Sequence, residues 1–405
     1  MKKFLLFISS VALLAACTNT KKNTAILPSE NDDKTVQEAF INAKPGDTIR
    51  FGEGVFKFRN TVSLEGIDSV TIIGAGMDKT IFSFAGQTEG AQGVYAKANN
   101  FTIQDIGIED AKGDGIKVQA SENVIIRRIR TEWTGEPDST NGAYGLYPVQ
   151  CKNILMEECV SIGASDAGIY LGQSENGIVR RNRVEKNVAG IEIENTKYAD
   201  VYENKAINNT GGIMIFDLPD LPKKNGTMVR VFNNEIIGNN HYNFSAMGIS
   251  VSMVPSGTGL LFMACQNVEA FGNIVKDNNT VALSILSLNT MGRQTKDSLF
   301  DKFPSSIYVH DNVIERSKSV PDTSRQFGKM MYQLFGNDLP LAISDGDFNP
   351  AYLENGKLKS GKEICVKNNG NLAFFNLATK TSGMPLFDCE GAMLPALNLY
   401  PEKVN

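Results

Sequence analysis

Four stretches of this chain lie over one another: "IVRRNRVEKNVAGIEIEN", "DVYENKAINNTGGIMIFD", "VRVFNNEIIGNNHYN" and "VEAFGNIVKDNNTVALSI". A fifth, "IYVHDNVIERS", begins the same way. A valine or similar residue precedes an asparagine by three positions, and a second asparagine follows five or six later. Asn182 to Asn204 is 22 residues, and so is Gly190 to Gly212. Three short strands and three turns fill that length. This is one rung of a right-handed parallel β-helix, a solenoid whose rungs stack at about 4.8 Å. The repeat overrides the division into two or three domains that 405 residues would otherwise suggest. The expected fold is all-β.

The register is consistent with that reading. Side chains of a strand alternate inward and outward. Val179, Val201, Val231 and Val309 then form one inward column, and Asn182, Asn204, Asn234, Asn273 and Asn312 a turn column in which each amide bonds the next. Ile129 and Cys159 take that place in earlier rungs. Arg128, Glu158, Arg181 and Glu203 form an outward column of alternating sign. "IIRRIR" and "IVRRNR" therefore read as cross-strand ion pairing rather than as an anion-binding patch.

The ends read differently. "MKKFLLFISSVALLAAC" is an export signal over residues 1–16 and is excluded from the fold. Leu14-Ala15-Ala16-Cys17 resembles a bacterial lipobox, which implies cleavage before Cys17 and a lipid on its sulfur. Contact with the membrane is then through the anchor only. Thr18 after the cysteine favours the outer membrane and periplasm over the inner membrane. Residues 17–34 read as a tether, 35–317 as the β-helix and 318–405 as a small irregular C-terminal cap. Thr35 and Glu38 form a capping box for a short helix, "TVQEAFINAK", with Val36 and Phe40 near one face as a lid on the open end. Cys365 and Cys389 are expected to pair in an oxidising compartment. Cys151, Cys159 and Cys265 read as buried apolar residues.

The formal charge is −5, and losing Lys2 and Lys3 with the signal brings it to about −7, so nucleic acid is excluded as a partner. Two histidines and few cysteines argue against a transition-metal site.

"AFINAKPGDTIRFGEGVFKF" resembles the opening segment of pectin-lyase-like β-helix proteins. The run from "DGIKVQASENVIIRRI" through "GGIMIFDLPDLP" is similar to a family of bacterial parallel β-helix lipoproteins. Their genes tend to lie beside those of diheme c-type cytochrome-like lipoproteins. The resemblance covers most of the chain. It implies the fold and, as one partner, such a cytochrome-like lipoprotein. It implies little about activity.

Departures from the 22-residue spacing mark loops, which on a solenoid often form the binding face. Asn204 to Asn234 is 30 residues, and Asn234 to Asn273 and Asn273 to Asn312 are 39 each. "DLPDLPKKNG", "HYNFSAMGISVSMVPS" and the earlier "TEWTGEPDSTNGAY" then flank the sheet of GI-type strands and wall a groove. Inward residues there are Ile116, Leu146, Ile169, Ile191, Ile213 and Leu260. Lys117, Tyr147, Tyr170, Glu192, Met214 and Leu261 form the outward floor, with Gln119, Gly172, Glu194 and Phe216 two residues further on and Asp217 at a strand exit.

Tyrosine faces and carboxylates in an extended groove suit a sugar chain. Proton abstraction beside a uronate carboxyl needs a cation and a base, which Lys117, Tyr147, Tyr170 and His241 could supply. Glycoside hydrolysis needs two acids, which Glu192, Glu194 and Asp217 could supply. The same three acids could hold Ca²⁺. The plain alternative is that outward carboxylates simply meet water, that the tyrosines stack, and that His241 is a surface histidine. The "DD" plus "GHG" pattern of polygalacturonases and the "DPH" of alginate epimerases are not found. Two readings stay open: a binding or scaffold protein of the cell envelope, for a polysaccharide or an envelope protein, and a carbohydrate-active enzyme, either a polyuronate lyase or epimerase or a glycoside hydrolase.

Overall fold

The computed structural model describes residues 25–293, 295–383 and 387–398. Cys17 and the expected export signal, residues 1–16, lie outside them. The chain winds into a parallel β-helix with a 19-stranded and a 12-stranded sheet around one apolar core. The long strands Phe101–Glu109 and Glu122–Glu132 run through a corner, which joins two faces into the larger sheet. Asp105 and Arg128 make that corner in the left-handed conformation (φ 61° and 47°), and Glu158, Arg181 and Glu203 continue it at φ 54–57°. The corner is therefore the outward charge column. Arg181 lies 3.1 Å from Glu158, and Arg128 lies 3.8 Å from Glu158 and 2.6 Å from Asp105.

Val179, Val201, Val231 and Val309 are in register and fully buried, with Ala270 in the same column. The asparagine column is continuous. Asn182, Asn204, Asn234 and Asn273 each donate a side-chain N–H to the next amide oxygen at 2.9–3.0 Å, and Asn312 does so to Asn369 at 2.8 Å. A second ladder runs Asn187–Asn209–Asn239–Asn278. Each rung also caps backbone: Asn204 receives the Asn182 backbone N–H at 3.0 Å and donates to the Val179 carbonyl at 2.9 Å.

The N-terminal helix, α1 (Asp32–Ile41), begins earlier than the capping box predicts, and Thr35 and Glu38 do not cap it. Thr35 donates its backbone N–H to the Asn31 carbonyl, already one turn inside the helix, and Glu38 faces Lys34 at the surface. Asp32 and Asp33 instead accept the backbone N–H groups of Lys57, Arg59 and Asn60, which fastens α1 to the first rungs. Val36 and Phe40 plug the core end.

Parallel stacking continues past residue 317. Ile364–Lys367 pairs with Ser305–His310, and Phe374–Asn376 stacks on Ala342–Ser344. The second helix, α2 (Gln326–Phe335), lies on the side of the solenoid, with Met331 buried in an outer apolar cluster. Cys365 and Cys389 are joined by a disulfide, and Cys151, Cys159 and Cys265 are free and buried. The following segment crosses the larger sheet, where the backbone N–H groups of Leu394 and Leu397 donate to Glu269 and Asp200. Among the described residues no helix is long and apolar enough to cross a membrane.

Candidate functional site

The GI-type strands form consecutive rungs of the smaller sheet: β1 (Asp114–Gln119), β2 (Tyr144–Val149), β3 (Ala167–Gly172), β4 (Ala189–Glu194), β5 (Gly211–Phe216), β6 (Thr258–Met263) and β7 (Val281–Leu286). Ile116, Leu146, Ile169, Ile191, Ile213 and Leu260 all point into the core. Lys117 and Tyr147 face each other across one pair of strands; Tyr170, Glu192, Met214 and Leu261 follow along the same outward row.

That row is not a wet floor. Every residue of β3, β4 and β5 is buried on both faces, including Glu192 (3 % exposed) and Glu194 (7 %). The insertions fold back over the sheet. Met214, Phe216 and Met263 pack under Phe244, Val251 and Met331 in a second apolar cluster outside the solenoid. A loop from the second 39-residue interval, residues 287–304, joins the three expected walls. Lys224 of the DLPDLP loop pairs with Asp297 of this loop at 2.5 Å. Tyr242 reaches across to the Pro137 carbonyl.

What remains open is a cleft of about 710 Å³ lined by Tyr144, Asp166, Glu192, Glu194, Arg293 and the segment Met247–Met253. Its size suits a small-molecule or sugar ligand. Three tyrosines form a cluster at its side, with ring centroids 4.5 Å (Tyr144–Tyr147), 4.7 Å (Tyr144–Tyr170) and 4.9 Å (Tyr147–Tyr170) apart. Lys117 lies 4.9 Å above the Tyr147 ring. The Tyr170 ring covers Gly172, where a Cβ would come to 2.0 Å from it, and its hydroxyl donates to Glu194 on the next rung. The Tyr144 hydroxyl donates to Asp166.

Burial sets the charge state. It pushes Asp166 up to about 7, reinforced by Glu194 and Asp114. It raises Glu192 well above the usual carboxylate range, with Asp166 and Glu194 adding to the effect. Glu194 is raised by burial too, but the Tyr170 hydroxyl and the Arg293 guanidinium oppose the rise. Asp114, beside Lys117, goes to about 6, and Tyr147 to about 12, burial being the first cause in both. Among the described lining residues Arg293 is the only basic one.

Of the predicted site residues Glu192 and Glu194 line the cleft, Lys117, Tyr147 and Tyr170 pack beside it, and Asp217 and His241 stand elsewhere. Asp217 is not on the cleft wall. It is 3 % exposed, accepts the Asn195 backbone N–H at 3.2 Å, and packs against Gly226, so it ties down the start of its own loop. Burial pushes it to about 7, and its Oδ2 has no hydrogen-bond partner among the described residues. His241 bonds the Tyr242 carbonyl, stacks on Tyr242 at 4.5 Å and does not line the cleft. The Ca²⁺ site expected from Glu192, Glu194 and Asp217 is not formed: among the described residues no three acidic, histidine or cysteine side chains are grouped to hold a metal ion. The donor set does not fit, because Asp217 is committed to the turn backbone and Glu194 to a tyrosine. Asp220 sits in an exposed turn and donates its N–H to Asp297 at 3.3 Å.

The periodic pattern gives no role to Asp166, Tyr144, Asp114 or Arg293. Strict alternation hides Tyr144 and Asp114, because each lies two residues before an inward Leu146 or Ile116 and so has inward parity, while both stand at the strand start, where the chain leaves the turn. Arg293 lies in a loop with no repeat to place it.

The class of protein is therefore a parallel β-helix with loops folded over one sheet. Residues 92–318, more than half of the chain, match the family model described as right handed beta helix region, and the chain belongs to that family. Among solved structures it is similar to the A-module of the Azotobacter vinelandii mannuronan C-5 epimerase AlgE4 (14 % identity, 83 % of this chain and 89 % of that one, TM-score 0.50). It is also similar to the Streptococcus pneumoniae surface protein and adhesin PfbA (12 % identity, 79 % and 88 % covered, TM-score 0.53). At these identities the likeness is one of fold. No curated protein matches the sequence.

Proposed function

We propose that this chain is an exported, lipid-anchored β-helix protein of the cell envelope that binds a polysaccharide in the cleft over β2–β5. The supporting observation is a cleft over the sheet lined by Tyr144, Asp166, Glu192 and Glu194, with Tyr147 and Tyr170 packed against Tyr144 beside it. Aromatic faces cover the apolar sides of sugar rings, and carboxyls that keep their protons bond hydroxyls as both donors and acceptors. The fold likeness to an epimerase whose name gives mannuronan as its substrate, and to a surface adhesin, supports this choice of ligand class.

Turnover is a second reading, favoured by one feature. Asp166 keeps its proton up to about 7, while Glu194 has both a hydroxyl donor and a guanidinium beside it, which favour its carboxylate. Carboxyls pushed apart in this way supply an acid and a base.

The test uses the soluble form that begins after Cys17, mixed with a panel of neutral and uronate polysaccharides. NMR follows binding, chain length, new double bonds and C5 configuration. Binding that falls at least tenfold in Tyr144→Ala supports the reading. Turnover lost in Asp166→Asn and Glu194→Gln makes the protein an enzyme. No binding across the panel overturns the proposal. A protein partner in the envelope, such as the diheme cytochrome-like lipoprotein that the resemblance implies, then becomes the reading to pursue. Lipidation is tested separately by whether Cys17→Ser releases the protein from membranes.

A further inference from the structure

The cleft does not end at Glu192. Beyond it, under Val254 and Phe327, lies an apolar chamber of about 80 Å³ walled by Met214, Leu261, Met263 and Val281. Glu192, Phe216, Val251 and Met291 line both spaces, so the two are continuous. The hydroxyls of Thr258 and Thr290 at the chamber wall are already committed, to the Pro255 carbonyl and to Asp345. Glu192 is different. It is 97 % buried by its 3 % exposure, and none of the described residues makes a hydrogen bond or ion pair with it. A side chain this buried, with no partner among the described residues and its carboxyl open only to the cleft and the chamber, offers a hydrogen bond to a ligand that occupies both.

We infer that the glycan bound in this cleft carries a short acyl group, as an ester or an amide, whose alkyl end enters the chamber and whose carbonyl oxygen accepts a hydrogen bond from Glu192. The inference rests on the glycan reading above. The chamber's size sets the length of the group: a dry cavity of about 150 Å³ holds benzene, so roughly half that volume holds about three carbons. Burial, with Asp166 and Glu194 nearby, raises Glu192 and so favours the protonated form, which can donate to a carbonyl.

The experiment is calorimetric titration of the soluble protein with four probes: an O-acetylated polyuronate, its de-acetylated form, N-acetylglucosamine oligomers, and the corresponding glucosamine oligomers. The wild type is compared with Ser284→Leu, which fills the chamber from β7 and leaves the cleft residues untouched. Ser284→Val is the milder filling if the leucine does not fold, as judged by circular dichroism. The expected result is tighter binding of one acylated probe by roughly tenfold or more, with that preference lost in the filled variant and binding of the unacylated chain unchanged. The ester and amide arms show which linkage is read. Equal binding of acylated and plain chains overturns the inference and leaves the glycan reading standing. A preference that survives filling also overturns it. Binding of no probe overturns both.

Discussion

Gly172 lacks a side chain where its neighbours in the row do not, and the Tyr170 ring fills the space. The ring lies flat over the glycine because its hydroxyl must reach Glu194 one rung away. Gly172→Ala should lift the ring and weaken glycan binding without unfolding the solenoid, which titration beside a thermal melt would show. Tyr170→Phe keeps the packing and removes the donor, so a buried carboxyl loses its partner. The expected loss of stability is about 1–3 kcal/mol, measured by chemical denaturation. Asp217 and Asp166 add a pH effect. Their folded-state pKa values of about 7 lie above the ordinary carboxylate value near 4. Between those limits the native state binds more protons than the unfolded chain, so stability falls as pH rises from about 4 to about 7 and levels off above. Asp217→Asn should flatten that decline, and calorimetric melting from pH 4.5 to 8 would check it. An unchanged slope would mean that other groups carry it.

At the scale of elements, the asparagine ladders hold the turns in register. Each amide satisfies backbone in the rung before it as well as its neighbour on the ladder. Asn204→Ala leaves the Asn182 N–H and the Val179 carbonyl buried without partners. It should cost roughly 2–4 kcal/mol in urea melts, where a surface change such as Lys205→Ala should cost under about 0.5 kcal/mol. These elements were legible in the sequence because their cause is periodic. Inward valines and turn asparagines recur at one spacing, so Val179 and Asn182 announce Val201 and Asn204. The start of α1 was misread for a related reason. Thr35 and Glu38 match a local motif, but Asp32 and Asp33 are recruited by backbone groups 25 residues away, and no local pattern records that. The outward row was read in the right order and with the wrong surroundings. Alternation says that Glu192 and Glu194 leave the core; it does not say that Phe244, Val251 and Met331 fold back to bury them. Arg293 and the Met247–Met253 wall belong to loops whose position depends on contacts between distant segments, so only the three-dimensional arrangement reveals them.

For the whole molecule, the two ends decide whether a stack of strands stays one molecule. Phe40 and Val36 close one end. Phe387, packed on Phe374 at 4.7 Å and anchored beside the Cys365–Cys389 disulfide, closes the other. Phe40→Asp should expose the first rung and cause association through its open strand edges. Light scattering at rising concentration would detect it, and scattering like the wild type would show that α1 is dispensable. The loops add a second kind of connection, since Tyr242 reaches Pro137 and Lys224 reaches Asp297 across intervening rungs. Consider what this means under load. A plain stack pulled from its N-terminus would peel one rung at a time, each 22-residue turn releasing roughly 75 Å of slack. Here peeling should proceed in such steps only through the first rungs. It should then stall at the stapled region, which resists as a block and yields in one long extension. The cleft would keep its shape until that final event, so a chain pulled from its N-terminus would hold whatever the cleft binds without being stretched out of its binding shape.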